Sequence, residues 1–255
     1  GVERTEIFTG LLVIDGFTIA VRSIILLFLV LFLIFTKISG IPDSDDSPDI
    51  YTLVFGATVG MCLMVSSNHL LMVFLAIEMA SVPSYALAGM LKGRKRGSEA
   101  ALKYAIYGAG AAGVMLYGIS LLAGLTSSAH LPTIALQLAG NLGTMSGSEQ
   151  LVLVLSGLLI TVGLAFKLSA VPFHFWAPDV FHGSCAEVNA FLSIASKAAA
   201  LGLLVRIGIG VGYVPGLEQE VAHEVEAGPA VIAGLLPVAE EAMEPTEESI
   251  EQEVT

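Results

Sequence analysis

The chain has 255 residues, 55% of them hydrophobic and only 13% charged, whereas ordinary soluble domains carry about 25% charged residues. This composition excludes a soluble globular enzyme and identifies a membrane protein. The formal net charge of −12 is concentrated at one end: residues 216–255 hold eleven acidic side chains and no Lys or Arg, which leaves −1 for the rest.

Residues 1–17 are expected to form an extramembrane N-terminal segment. Apolar runs with few charges, long enough to cross about 30 Å of hydrocarbon, then follow over approximately 18–36, 51–66, 69–91, 100–124, 150–171 and 187–210. Backbone in lipid must be satisfied internally, so these runs are helices or barrel strands. Their continuous rather than alternating hydrophobicity selects helices. The first run is too long for a signal peptide, and no small-residue cleavage site follows it before "PDSDDSPD". Residues 18–212 are thus expected to be an all-α polytopic domain of about six transmembrane helices. Residues 213–255 read as an acidic, largely disordered tail. Its one apolar stretch, "PAVIAGLLPVAE", is too short to span.

The strong basic cluster is "KGRKR" at 92–96. The bias of Lys and Arg toward cytoplasmic loops places it on the cytoplasmic side, with the start of the first span and the end of the sixth on the other. Residues 126–148 are expected to be a loop on that other side, with a surface helix over "TIALQLAG". "GAGAAG" at 108–113 fits a dinucleotide-binding fingerprint letter for letter. It lies inside a membrane span instead of between a strand and a helix, so it reads as small-residue helix packing. Cys62 and Cys185 have no paired spacing, and two reduced thiols are expected. No cysteine pattern offers ligands for an iron–sulfur cluster. His69, His130, His182 and His223 show no metal-ligand spacing.

Four ionisable residues fall within the predicted spans: Glu78, Lys103, Lys167 and Lys197. Each such group at a helix centre costs about 2.5–3.5 kcal/mol on insertion scales, which marks them as functional candidates. Lys103 lies early in its helix, where snorkelling to the interface is an equal reading. Arg22 and Arg206, near span ends, read as interfacial. A lysine in apolar surroundings loses proton affinity by desolvation, and a nearby carboxylate restores it. A Lys and Glu series balanced between these effects suits proton relay. Pro83 follows Glu78 by five residues and Pro172 follows Lys167 by five, so a helix break is expected beside each charge, as in ion-transporting helices. Ser81, Ser84, Ser169, Ser193 and Ser196 are candidates to line a hydrated path. His174, just past Pro172, reads either as a relay between Lys167 and solvent or as an interfacial histidine beside Trp176.

The stretches "FLAIEMASVPSYALAG", "SEAALKYAIYGAGAAGVMLYGISLL", "GLAFKLSAVPFHFWAPDVFHG" and "AFLSIASKAAALGLLVR" resemble the antiporter-like membrane subunits of respiratory complex I, NADH:quinone oxidoreductase. Within them the resemblance is to the subunit N line, which includes mitochondrial NADH dehydrogenase subunit 2. It covers roughly residues 8–212 and implies family helices three to eight. That is one half of the antiporter-like fold, a single inverted repeat with a broken helix. It also implies that Glu78 pairs with Lys103, that Lys167 and Lys197 continue a hydrated axis, and that Lys167 is the switching proton carrier. "HGS" at 182–184 departs from the family pattern.

The implied function is proton translocation in the bacterial inner membrane, as part of a translocase whose redox site lies in other chains. No cofactor is expected in this chain. NADH, flavin, iron–sulfur clusters and quinone are expected in other subunits. Partners would be the other membrane subunits and the lipid bilayer, with no nucleic acid. Two alternatives stay open: a subunit of a multi-subunit cation/proton antiporter, and a nonconducting structural membrane fragment.

Overall fold

The computed structural model describes residues 3–40, 47–90 and 95–212. A short antiparallel hairpin, β1 (Thr5–Ile7) and β2 (Leu12–Ile14), pairs Thr5 with Ile14. It lies in the segment read as extramembrane, and no period-two signal announced three-residue strands. Among the described residues eight helices follow: α1 (Gly16–Ser39), α2 (Ser47–Ser66), α3 (Leu70–Ala88), α4 (Lys95–Thr126), α5 (Leu131–Asn141), α6 (Gly147–Leu168), α7 (Trp176–Gly183) and α8 (Ala186–Gly212). Six of them, α1–α4, α6 and α8, are long and apolar enough to cross a membrane. The six expected spans are therefore present, and α5 is the expected short helix of the 126–148 segment. Only Lys95 and Arg96 of the basic cluster lie among the described residues, and the acidic tail lies outside them.

The bundle is held by backbone-close helix contacts at small residues, the usual packing mode in lipid. A Cβ on Gly118 of α4 would stand 2.8 Å from the Ser156 carbonyl oxygen of α6, and one on Gly163 of α6 would stand 2.6 Å from Met115. Gly60 of α2 meets the Ala80 backbone of α3 in the same way, at 2.5 Å. This contact bears on Pro83. The expected break there does not occur, and α3 runs unbroken from Leu70 to Ala88 with Pro83 inside it. The proline removes one backbone donor, but the α2 contact holds the backbone in place. The Ser81 and Ser84 hydroxyls donate back to the Ile77 and Ala80 carbonyls at 2.6 and 2.7 Å.

In "GAGAAG", only Gly108 serves close packing. A Cβ there would fall 2.1 Å from the Tyr85 hydroxyl, whereas Gly110 and Gly113 face nothing within 4 Å. The packing reading thus holds for one glycine of three.

At one end of the bundle the hairpin, the α2–α3 junction and α5 knit together. Asn68, fully buried, donates to Glu6 Oε1 at 2.9 Å and accepts from Arg4 at 3.1 Å, and its backbone N–H bonds to the Leu11 carbonyl. Arg206 stands at this end of the bundle as well, 1% exposed, forked onto Asp15 by two bonds of 2.7 Å, with a third to the Val65 carbonyl at 2.9 Å. The fold brings the Asp15 cap of α1 over that end of α8.

The bond from Arg206 holds the Asp15 carboxyl well below the usual carboxylate range, aided by the Thr18 backbone N–H and opposed by burial. A group so depressed contributes fully above its unfolded value near pH 4, and the contribution is lost as pH falls through the folded value. Asp15→Ala should lower stability by about 3–5 kcal/mol, because it strands a buried guanidinium. Thermal unfolding in mild detergent checks this. Acidification from pH 5 toward pH 2 should also lower the wild-type unfolding temperature more than that of an Asp15→Asn, Arg206→Met double variant.

Candidate proton-relay site

The site begins where α6 stops. Ser169 takes a left-handed backbone (φ 56°), and the chain turns through residues 170–175 before α7, so the break expected at Pro172 is present. A helix end leaves carbonyls without intrahelical partners, and here three of them find donors. Ala165 accepts from the Ala170 N–H at 2.8 Å, and Phe166 accepts from the Ser169 N–H at 3.0 Å and from Trp176 Nε1 at 3.1 Å. Leu168 accepts from the Lys197 ammonium at 2.8 Å, and Ser169 Oγ accepts from the same ammonium. A cation at a helix C-terminus is also favoured by the helix dipole. Lys197 of α8 thus sits on the broken end of α6.

Lys167 is the penultimate residue of α6 and is 4% exposed. Its ammonium donates to Ser81 Oγ on α3 at 2.9 Å. Ser81 is the twelfth residue of a 19-residue helix, about 17 Å from its start at 1.5 Å per residue, so Lys167 lies near mid-depth. Its surroundings offer one hydroxyl and two charges: the Glu78 carboxylate attracts it and the Lys197 ammonium repels it. Lys167, Glu78, Ser81 and Tyr85 line one small cavity of about 10 Å³ with Gly108 and Met115, about the room one water needs. Glu78, Ser81 and Tyr85 follow at spacings of three and four, which puts them on one face of α3.

An aromatic wall closes the site. Tyr104 of α4 stacks on Trp176 (4.4 Å, 7°) and meets Tyr85 edge-on (4.7 Å, 78°), and Phe166 packs against Trp176 at 5.3 Å. Lys197 Nζ lies 5.5 Å from the Trp176 ring centre, within cation–π range.

Two expected members stand elsewhere. Lys103 does not pair with Glu78. It bonds Glu99 at 2.7 Å and Asp179 of α7 at 2.9 Å, in a cleft of about 150 Å³ shared with Arg96 and His182. Gly89 at the end of α3 packs on Ala101, so Lys103 lies near the end of the bundle, where its long stem reaches polar partners. His174 is exposed on the 170–175 turn, and among the described residues its side chain makes no hydrogen bond. Sequence reasoning missed Tyr85, Tyr104 and Asp179. The spacing from Glu78 could have found Tyr85, but only the three-dimensional packing reveals the other two.

A family model described as NADH:quinone oxidoreductase/Mrp antiporter, TM, matches residues 67–221. Among curated relatives, NADH-quinone oxidoreductase subunit N of Chlorobium chlorochromatii is 43% identical over 206 residues, 80% of this chain and 39% of that protein. NADH-quinone oxidoreductase subunit N 2 of Chloroherpeton thalassium is 40% identical over 79% of this chain and 39% of that protein. A chain of respiratory complex I from Thermus thermophilus with bound aureothin superposes with a TM-score of 0.65 at 35% identity, covering 80% of this chain and 42% of that one. The Mrp complex from Dietzia shares the fold, with a TM-score of 0.60 at 22% identity over 77% of this chain and 35% of that one. The chain spans about two fifths of the length of the curated relatives it matches.

Gly108→Ala should destabilise the protein by about 1–3 kcal/mol, because the methyl must displace Tyr85 from the cavity beside Lys167. Gly110→Ala, facing open space, should not, and thermal unfolding of the two variants side by side checks the contrast. By the extent of its match, this chain belongs to the NADH:quinone oxidoreductase/Mrp antiporter transmembrane family.

Proposed function

We propose that this chain forms part of the proton-translocating membrane subunit of an NADH:quinone oxidoreductase, carrying protons through Glu78, Lys167 and Lys197. One observation carries the reading: a lysine at mid-depth holds a neutral hydroxyl as its hydrogen-bond partner and shares a cavity with a carboxylate. A purely structural ion pair would be expected to satisfy its ammonium with direct carboxylate contacts, as Arg206 and Asp15 do at the bundle end. Ser81 accepts from the ammonium while its own proton is held by the Ile77 carbonyl, so it is a neutral partner that does not fix the lysine's charge state as a bonded carboxylate would. The nearby acid favours the charged lysine and the second lysine opposes it, so a proton shift at either neighbour changes the balance at Lys167.

Lys197 continues the path at the α6 break. Lys103, paired with Asp179 and Glu99, belongs in this reading to the mouth of the path, in the cleft it shares with Arg96, on the proposed cytoplasmic side of a bacterial inner membrane. His174 lies at the surface of the same turn, where exchange with solvent is its proposed role. Driving energy would come from electron transfer through NADH, flavin, iron–sulfur clusters and quinone held by other subunits. The membrane partners are the companion subunits of that complex.

A cation/proton antiporter subunit is the second reading, supported by the breadth of the family and by the shared Mrp fold. The 40–43% identity to the oxidoreductase subunits favours the first. A nonconducting fragment would gain nothing from the insertion cost of Glu78, Lys167 and Lys197.

In membrane vesicles carrying the assembled complex, Lys167→Ala should abolish or strongly reduce NADH-driven proton translocation, since positioned proton-transfer groups contribute about 10²–10⁴-fold. NADH oxidation by an artificial acceptor should largely persist. Lys103→Ala should retain more translocation than Lys167→Ala. Undiminished pumping in Lys167→Ala would overturn the proposal, and sodium-dependent proton exchange without NADH would favour the antiporter.

A further inference from the structure

Away from the relay, α1 and α8 diverge and leave an apolar groove of about 430 Å³. Its walls include Phe28, Phe32 and Phe35 of α1 and Ala190 and Ile194 of α8, and its polar end is built by Thr36, Ser39 and Glu187. Ser39 Oγ donates to Glu187 Oε1 at 3.1 Å, whereas Glu187 Oε2 is buried without a hydrogen-bond partner. Thr36 is only 2% exposed and its hydroxyl is likewise unpartnered. Buried polar atoms are normally satisfied, so two orphaned oxygens at the end of one apolar groove point to a ligand with hydrogen-bond donors on an apolar tail.

The dimensions select the tail. Phe28 to Ser39 spans about 16 Å along α1, about half of the roughly 30 Å of hydrocarbon in a bilayer, which is the reach of one leaflet. An acyl chain lying in that leaflet matches the length of the groove and its apolar walls. Charge selects the headgroup. Glu187 is the one charged residue among those lining the groove, and a carboxylate takes its strongest hydrogen bonds from a cationic N–H donor. Its position in the first turn of α8 and that of Ser39 in the last turn of α1 put this end at the edge of the bundle, where lipid headgroups lie.

We infer that the groove between α1 and α8 binds a phospholipid with a primary ammonium headgroup, its N–H donors on Glu187 and one acyl chain along Phe28, Phe35 and Ile194. The inference stands apart from the relay and does not depend on it. A choline headgroup carries the same charge but no N–H to donate, so it is the critical comparison.

The test is native mass spectrometry of the delipidated full-length chain in mild detergent, titrated with dioleoyl phosphatidylethanolamine, phosphatidylcholine or phosphatidylglycerol. One ethanolamine lipid should bind about tenfold more tightly than either competitor, the scale of a charge-assisted hydrogen bond. Glu187→Gln should remove most of that preference while apolar affinity remains. Ala190→Trp, which fills the groove, should abolish the site. Equal affinity for ethanolamine and choline lipids in the wild type would overturn the inference. So would a photo-reactive side chain at position 190 that crosslinks in membranes to a partner polypeptide instead of lipid. If Glu187→Gln does not fold, the wild-type headgroup comparison and the crosslink each decide the matter.

Discussion

An ammonium group held inside a bilayer must find hydrogen-bond acceptors and a counter-charge, and the helices around it must come close enough to provide them. In this protein the requirement falls on Lys167. Ser81 supplies the acceptor and Glu78 the opposing charge, both from α3. Neither would be within reach without the glycines: Gly163 and Gly118 draw α6 onto α4, Gly60 draws α2 onto α3, and Gly108 lets the Tyr85 ring lie beside the cavity. Tight packing and buried charge are thus two parts of one arrangement, in which small residues create the proximity that the charge needs.

The α6 break extends the arrangement. Ending a helix at depth frees carbonyls, and the structure fills them with the Trp176 indole and the Lys197 ammonium. Lys197 is therefore held by the interrupted helix itself and needs no direct acid partner. The result is a series of charges from α3 through α6 to α8 whose members differ in kind: a carboxylate, a lysine on a hydroxyl, and a lysine on a backbone carbonyl. Protons move along such a series only if each member tolerates both charge states, and partners that are neutral oxygens allow that where a direct carboxylate would resist it.

Much of this was legible in the sequence. Continuous apolar runs located six helices because lipid permits few other solutions, and Glu78, Lys167 and Lys197 declared themselves by the cost of placing charge within those runs. What escaped was set by three-dimensional proximity. Pro83 looked like a break, yet the close α2 contact keeps α3 helical through it. The family resemblance implied Lys103 as a partner for Glu78, but Lys103 finds Asp179, on a short helix beyond the break, in keeping with the snorkelling that its place early in the helix also allowed. The burial of Arg206 depends on an Asp15 cap 191 positions away in sequence. Such neighbours are set by the fold and leave no local pattern.

The central claim is that Glu78 and Lys167 act as one electrostatic unit, and a double-mutant cycle addresses it most directly. Unfolding free energy would be measured in mild detergent for the wild type, Glu78→Gln, Lys167→Met and the double variant. Each single change should strand the remaining charge, and the double should recover stability, with a coupling of at least about 1 kcal/mol. Additive effects within about 0.3–0.5 kcal/mol, the range expected for independent sites, would contradict the account.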